Sequence, residues 1–189
     1  MDEYIVQHSA TEFSVMPNTF AIIFMGVSGS GKSTTAEEFA KFIRCPFAEA
    51  DDFHSEANIA KMSAGIPLQD EDRWPWLRSI QEWISNESAQ GHNVVLTCSA
   101  LKRSYRELLG QANAKVRFVL LDVDRDELVK RMTSREDHYM PVSLLDSQLA
   151  TLERLAPDEP GITLDANMPT RDIITNVYEF MDIETVTSS

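Results

Sequence analysis

The chain has 189 residues, enough for one domain with a sizeable core. Its composition is ordinary for a globular protein, 43% hydrophobic and 25% charged, and 17 basic against 30 acidic residues give a formal net charge of −13. That acidity argues against nucleic acid as the main partner, while no apolar run reaches the length of a membrane span and no basic-then-apolar leader opens the chain.

In chain order, residues 1–18 lack periodicity and read as an N-terminal extension, followed by a single domain over 19–189. Phe20-Ala21-Ile22-Ile23-Phe24-Met25 is an apolar strand. It runs directly into Gly26-Val27-Ser28-Gly29-Ser30-Gly31-Lys32-Ser33, which has the form G-x-x-x-x-G-K-S/T, and a helical pattern follows over 34–43. Strand, glycine loop and helix together are the context of a phosphate-binding loop. The glycines let backbone N–H groups curl around phosphate oxygens, and the helix start offers unpaired amides and a positive dipole end to the same anion. Lys32 is expected to reach the β- and γ-phosphates of ATP, Ser33 to ligate Mg²⁺, and Thr34 to complete the nucleotide-binding stretch.

Beyond this helix, Cys45-Pro46 breaks the pattern, and 47–51 is a short strand ending in the carboxylate of Asp51. Either Ser55 or Asp52 can cap a helix carrying Ile59 and Met62, which stops at Gly65. A turn over 66–73 leads to an amphipathic helix with Pro75 in its first turn and Trp76, Leu77, Ile80, Trp83 and Ile84 at helical spacing. A strand over 93–98, a short helix over 101–109 and a continuous apolar run over 116–121 follow; the last reads as a central strand of a parallel sheet. Asp124 with Glu127 resembles a capping box for a helix to Thr133, 134–140 is polar and charged, and Pro141 opens a helix with Leu145, Leu149 and Leu152 on one face. A final strand over 162–164 and a helix carrying Ile173, Ile174, Val177 and Phe180 close the chain. Strands alternating with helices predict an α/β domain around a central parallel sheet. Two segments interrupt the rhythm and read as a substrate-binding insert (about 52–90) and a closing lid (about 134–141). Cys45 and Cys98 lack metal-ligand spacing and are expected as buried free thiols in a reducing compartment, so a cytoplasmic location is the default.

A second set of motifs carries a family resemblance. Asp51-Asp52-Phe53-His54, Asn58-Ile59-Ala60-Lys61-Met62, Gly65-Ile66-Pro67-Leu68 and Asp70-Glu71-Asp72-Arg73-Trp74-Pro75-Trp76-Leu77 together resemble the gluconokinase pattern. Cys98-Ser99-Ala100-Leu101-Lys102 with Tyr105-Arg106-Glu107-Leu108-Leu109 matches its next signature, and Ser147-Gln148, Leu152-Glu153 and Asp158-Glu159 a third. Leu155 stands where that family usually has proline, and the lid carries Glu136 and Asp137 where relatives are often basic or glycine-containing. The resemblance runs from about Phe20 to the C-terminus. It implies a three-layer α/β/α P-loop kinase that uses ATP and Mg²⁺ to phosphorylate D-gluconate, and commonly a homodimer.

Phosphoryl transfer asks the protein mainly to position the acceptor and neutralise spread charge. Asp51 is the candidate to orient the gluconate 6-hydroxyl and accept its proton, or to hold a Mg²⁺-bound water; a plain helix-capping carboxylate is the competing reading. His54 offers a donor and an acceptor to sugar hydroxyls, against a structural role. Arg73 has the planar fork that matches a carboxylate, against local pairing with Asp70 or Asp72. Lys102 reaches either substrate or the transferred phosphate, against a solvated helix-start lysine. Arg131 and Arg135, four apart at the helix end entering the lid, are expected to clamp phosphates during transfer, although cations suit any helix C-terminus. Asp122 mimics a Walker B acid but is expected at an ordinary strand-to-helix turn. Two alternatives stand beside gluconate phosphorylation: a related kinase of another small hydroxy acid, such as shikimate, and a nucleotide-dependent binding protein without catalysis.

Overall fold

The computed structural model describes residues 18–134 and 142–187. Most of the N-terminal extension and nearly all of the expected lid, with Arg135, therefore lie outside the described residues. Five strands, β1 (Phe20–Met25), β2 (Phe47–Glu49), β3 (Val94–Thr97), β4 (Lys115–Asp122) and β5 (Gly161–Asp165), form one sheet in the order β2-β3-β1-β4-β5. Every pairing is parallel; Ile23 sits beside Leu96 on one side and Phe118 on the other. The unbroken apolar runs of β1 and β4 are what strands covered on both faces require.

Alternation along β1 sorts its side chains between two layers. Ala21, Ile23 and Met25 join the core under α3 (Asp70–Ala89) and α4 (Arg103–Leu109), with Trp76, Leu77, Ile80, Ile84, Tyr105 and Leu109. Ile22 and Phe24 join the core under α1 (Lys32–Ile43) and α7 (Thr170–Thr187), with Ala36, Phe39, Ala40, Ile173 and Val177. The result is a three-layer α/β/α architecture. A third cluster forms where the chain leaves the sheet. Val27 after β1, Leu101 after β3 and Val123 after β4 pack with Leu128 of α5 (Arg125–Thr133) and Leu145 of α6 (Val142–Thr151). This plug seats α5 and α6 against the glycine loop. Among the described residues, no helix is long and apolar enough to cross a membrane.

Two local expectations need correction, and one open alternative is decided. β2 ends at Glu49, not Asp51; the Thr97 hydroxyl donates to the Glu49 carboxylate at the last register pair, and Ala50–Phe53 turns away as a 3-10 helix. α3 starts at Asp70, too early for Pro75 to lie in its first turn. Asp72 Oδ2 accepts from the Gln69 N–H at 3.0 Å, and three acids in the first turn suit the positive helix end, so Pro75 falls inside the helix. Ser55, not Asp52, caps α2 (Glu56–Ser63): its Oγ accepts from the Asn58 N–H at 3.1 Å. Both cysteines are free, Cys98 buried and Cys45 only half-buried; burial pushes their thiols up to about 12 and about 11.

Candidate active site

The glycine loop leaves β1 at Gly26 and enters α1 at Lys32. Gly26 has φ +137°, and a Cβ there would stand 2.9 Å from the Leu121 carbonyl oxygen, so a larger residue would displace backbone. Gly31, at φ +91°, is the N-cap of α1 and supplies no side-chain acceptor to the first amides. The first turn of α1 also holds no acid. Other helix starts are furnished differently: Ser55 caps α2, three acids open α3, and Asp124 Oδ1 accepts from Glu127 N–H at 2.9 Å on α5. The α1 amides and dipole are thus directed at an anion from outside the chain. Within the loop, Ser30 Oγ is buried and has no partner among the described residues, a hydroxyl that a phosphate oxygen would satisfy. These features fit a nucleoside triphosphate.

Lys32 Nζ donates to the Val27 carbonyl at 2.9 Å. Burial pulls its pKa below 10.5, and the nearby Asp51 carboxylate pushes back against that fall. Ser33 and Thr34 are exposed on the first turn of α1. Among the described residues, no group of three or more His, Cys, Asp or Glu forms a ready metal cage. Ser33 with phosphate oxygens is the donor set that suits a hard cation here.

On the acceptor side, the Asp51 side chain is 90% exposed and its Oδ1 lies 3.8 Å from His54 Nε2. The His54 ring stacks on Trp76, centroids 4.3 Å apart, and Trp76 Nε1 donates to the Ala50 carbonyl at 2.7 Å. Asn58 Nδ2 donates to the Asp72 carbonyl at 2.9 Å and reaches His54 Nδ1 at 3.4 Å. Burial lowers the His54 pKa below 6.5, with Asp51 opposing and Arg73 adding to the fall. A neutral imidazole accepting at Nδ1 leaves Nε2–H turned toward Asp51.

Arg73 donates from Nε and Nη2 to the Leu68 carbonyl, each at 3.4 Å, and its guanidinium lies 5.7 Å from the Tyr105 ring centre. The acids beside it are otherwise committed. Both Asp70 oxygens accept from Lys102 Nζ at 3.0 Å, and Oδ1 also takes the Tyr105 hydroxyl at 2.5 Å. Asp72 pairs with Lys61 at 2.7 Å. The Tyr105 hydroxyl holds Asp70, and the Lys61 ammonium Asp72, below the usual carboxylate range. The competing reading of Arg73, consumed by one of these acids, is not what forms. Lys102 is likewise no solvated lysine but an ion-paired one.

Lys102 ends a loop in which the carbonyls of 99–102 are all taken. Ser99 O accepts from Gly26 N at 3.3 Å, Ala100 O from Arg106 Nη1 at 2.9 Å, Leu101 O from Glu153 N at 2.7 Å and Lys102 O from Tyr105 N at 3.1 Å. Ala100 sits at φ +44°, a conformation few non-glycine residues adopt. Arg106, 2% exposed, grips Glu159 with two bonds of 2.6 and 3.0 Å. Glu153 Oε2 accepts from the Arg103 N–H at 2.7 Å, capping α4. The third sequence signature is thus scaffolding for the loop between the glycine loop and Lys102.

Arg131 reaches the glycine loop from α5. Its Nη1 is 3.5 Å from the Gly29 carbonyl, while Nη2 donates to Ala166 O at 3.1 Å and Asn167 Oδ1 at 2.9 Å. Arg135 lies outside the described residues. Asp122 ends β4 and pairs with Arg154 at 2.6 Å, in keeping with a strand-to-helix turn. One contact escaped the sequence reading: Gln148 Oε1 of α6 accepts from the Ser28 N–H at 2.8 Å. The Ser147-Gln148 match pointed to the residue but not to its partner, 120 positions away.

Comparison with known proteins agrees with this arrangement. A family model described as an AAA domain matches residues 22–155. The chain is 50% identical over 141 residues to the gluconokinase of Gluconobacter oxydans (strain 621H), covering 75% of this chain and 79% of that protein. A solved gluconokinase from Sinorhizobium meliloti 1021 superposes with a TM-score of 0.77 at 41% identity, covering 88% of this chain and 93% of its own. A sugar kinase from Janibacter sp. HTCC2649 superposes at 0.81 with 50% identity, covering 88% and 96%.

Proposed function

Because the chain belongs to the gluconokinase family, we infer that it transfers the γ-phosphoryl group of ATP to D-gluconate, giving 6-phospho-D-gluconate and ADP. The activity is carried by the 50% identity to a gluconokinase across three quarters of the chain. The residue roles are supported by geometry on both halves: the glycine loop opens α1 on a helix start without a side-chain cap, and Asp51 Oδ1 stands 3.8 Å from His54 Nε2 on the acceptor side.

In the reading these supports favour, the amides of 26–33 and Thr34 hold the phosphate chain, and Lys32 neutralises charge on the β- and γ-phosphates. Asp51, exposed at the loop mouth, orients the 6-hydroxyl and takes its proton as the oxygen bonds to phosphorus and the bond to the β-phosphate oxygen breaks. His54 Nε2–H steadies Asp51 and a sugar hydroxyl. Arg73 meets the gluconate carboxylate with its fork, its neighbouring acids being held by Lys61, Lys102 and Tyr105. Lys102, fixed by Asp70, lines the same side. Arg131 of α5, together with Arg135, supplies positive charge to the phosphates. Ser33 is the residue that would hold Mg²⁺, which when bound would supply further neutralisation of phosphate charge. A cytoplasmic site of action and a homodimer, both expected from the sequence, are carried as parts of the same proposal.

The test is ATP-dependent ADP release across a panel of sugar acids with shikimate included. Gluconate is expected to be turned over best. A folded sample that leaves gluconate untouched overturns the substrate; turnover of shikimate instead would favour the other kinase, and nucleotide binding without any turnover the non-catalytic protein.

A further inference from the structure

Gln148 is held unusually well for a surface-helix glutamine. Leu145, one turn earlier on α6, is fully buried against Val27, Val123 and Leu128. Asp146 takes two bonds from Arg125 of α5, at 2.7 and 3.2 Å. The helix is therefore fixed on both the loop and α5, and the Gln148 amide is fixed with it. The contact is through the Ser28 backbone N–H, which can only donate, so the group that meets it at 2.8 Å must be the amide oxygen. The amide nitrogen then faces away from Ser28, and it has no protein partner among the described residues. Ser28 lies on the limb of the loop next to β1, away from the helix start that cradles the inner phosphates. With the inner phosphates at the helix start, a donor anchored on the opposite limb is left for the outer end of the phosphate chain.

We propose that Gln148 is a phosphoryl-contact residue: its oxygen locks onto the Ser28 amide so that its nitrogen donates to the terminal phosphoryl group. The inference rests on reading the 26–33 loop as the ATP site. It predicts a residue that distinguishes triphosphate from diphosphate, in addition to Lys32. A fixed donor of this kind stabilises charge on the transferred group without reorganising during transfer.

Two variants separate contact from anchoring. Gln148→Glu keeps an acceptor for Ser28 but loses the donor; Gln148→Met loses both. Affinities for ADP and for a non-hydrolysable ATP analogue, with Mg²⁺, are measured by calorimetric titration of the full chain. In Gln148→Glu the ratio of analogue to ADP dissociation constants is expected to rise about tenfold, the scale of a lost hydrogen bond to a charged group. Gluconate turnover should fall by at least a similar factor with KM for gluconate unchanged. An unchanged ratio in Gln148→Glu, with or without a loss in Gln148→Met, overturns the contact and leaves at most an anchor for the loop. If the unsubstituted protein binds neither nucleotide, the ATP-site reading itself falls, and this proposal with it.

Discussion

α1 and α3 begin in opposite ways. α1 starts on a glycine cap with no acid in its first turn, and its amides and Lys32 are turned toward the loop. α3 starts on three acids, and two of them organise cations and donors around the acceptor side: Asp70 holds Lys102 and Tyr105, and Asp72 holds Lys61 and the Gln69 amide. The positive end of one helix is offered to an incoming anion; that of the other is satisfied by the chain's own carboxylates. The donor half thus offers mainly backbone amides, at a helix start without a side-chain cap. The acceptor half reads its substrate through side chains whose positions depend on one another. Recognition of ATP and choice of sugar acid are built from different materials.

That division can be broken experimentally. The largest effect is expected from Lys32→Ala, which should lower turnover by about a thousandfold or more. Its thermal midpoint should stay near that of the parent, because Lys32 is only partly buried and, among the described residues, its ammonium bonds only the loop carbonyl of Val27. A variant that unfolds instead would make the lysine structural. On the other half, Arg73→Ala should raise KM for gluconate by about ten- to a hundredfold, with KM for ATP unchanged. If both constants moved together, the two halves would not be separable at this residue. The smallest effect concerns pH. Burial favours neutral His54 in the folded chain, so its contribution to stability is complete above 6.5 and is lost as pH falls through the depressed value. The thermal midpoint should drop across that window, and His54→Phe, which keeps the stack on Trp76, should flatten the drop. Parallel slopes for parent and variant would show that some other group carries it.

The same division explains what could be read from the sequence. The glycine loop is legible because it is local: eight consecutive residues between a strand and a helix define backbone shape. The strands and their layers are legible from apolar runs and alternation. The proposed acceptor residues Asp51, His54 and Arg73 stand out through spaced motifs, but their partners do not. Whether Asp70 pairs with Arg73, three positions away, or with Lys102, 32 positions away, is decided by the packing of α3 on α4. The start of α3 was misplaced because Pro75 resembles a first-turn proline, while the Gln69–Asp72 contact carries the stronger stop. Gln148 and Ser28 meet across 120 residues, and no local pattern encodes that contact.

The clasp between Arg106 and Glu159 also limits how this sequence can change. Both charges are out of water, and each satisfies the other. Replacing one alone strands its partner, at a cost of about 3–5 kcal/mol, a large share of the stability of an ordinary domain. An apolar pair of similar volume would cost little, yet reaching it one substitution at a time passes through that loss. Arg106 also holds the carbonyl of Ala100 in the loop that carries Lys102, so an apolar replacement would leave that oxygen without its donor. Positions 106 and 159 thus behave as one heritable unit, and the geometry of the acceptor side is inherited along with them.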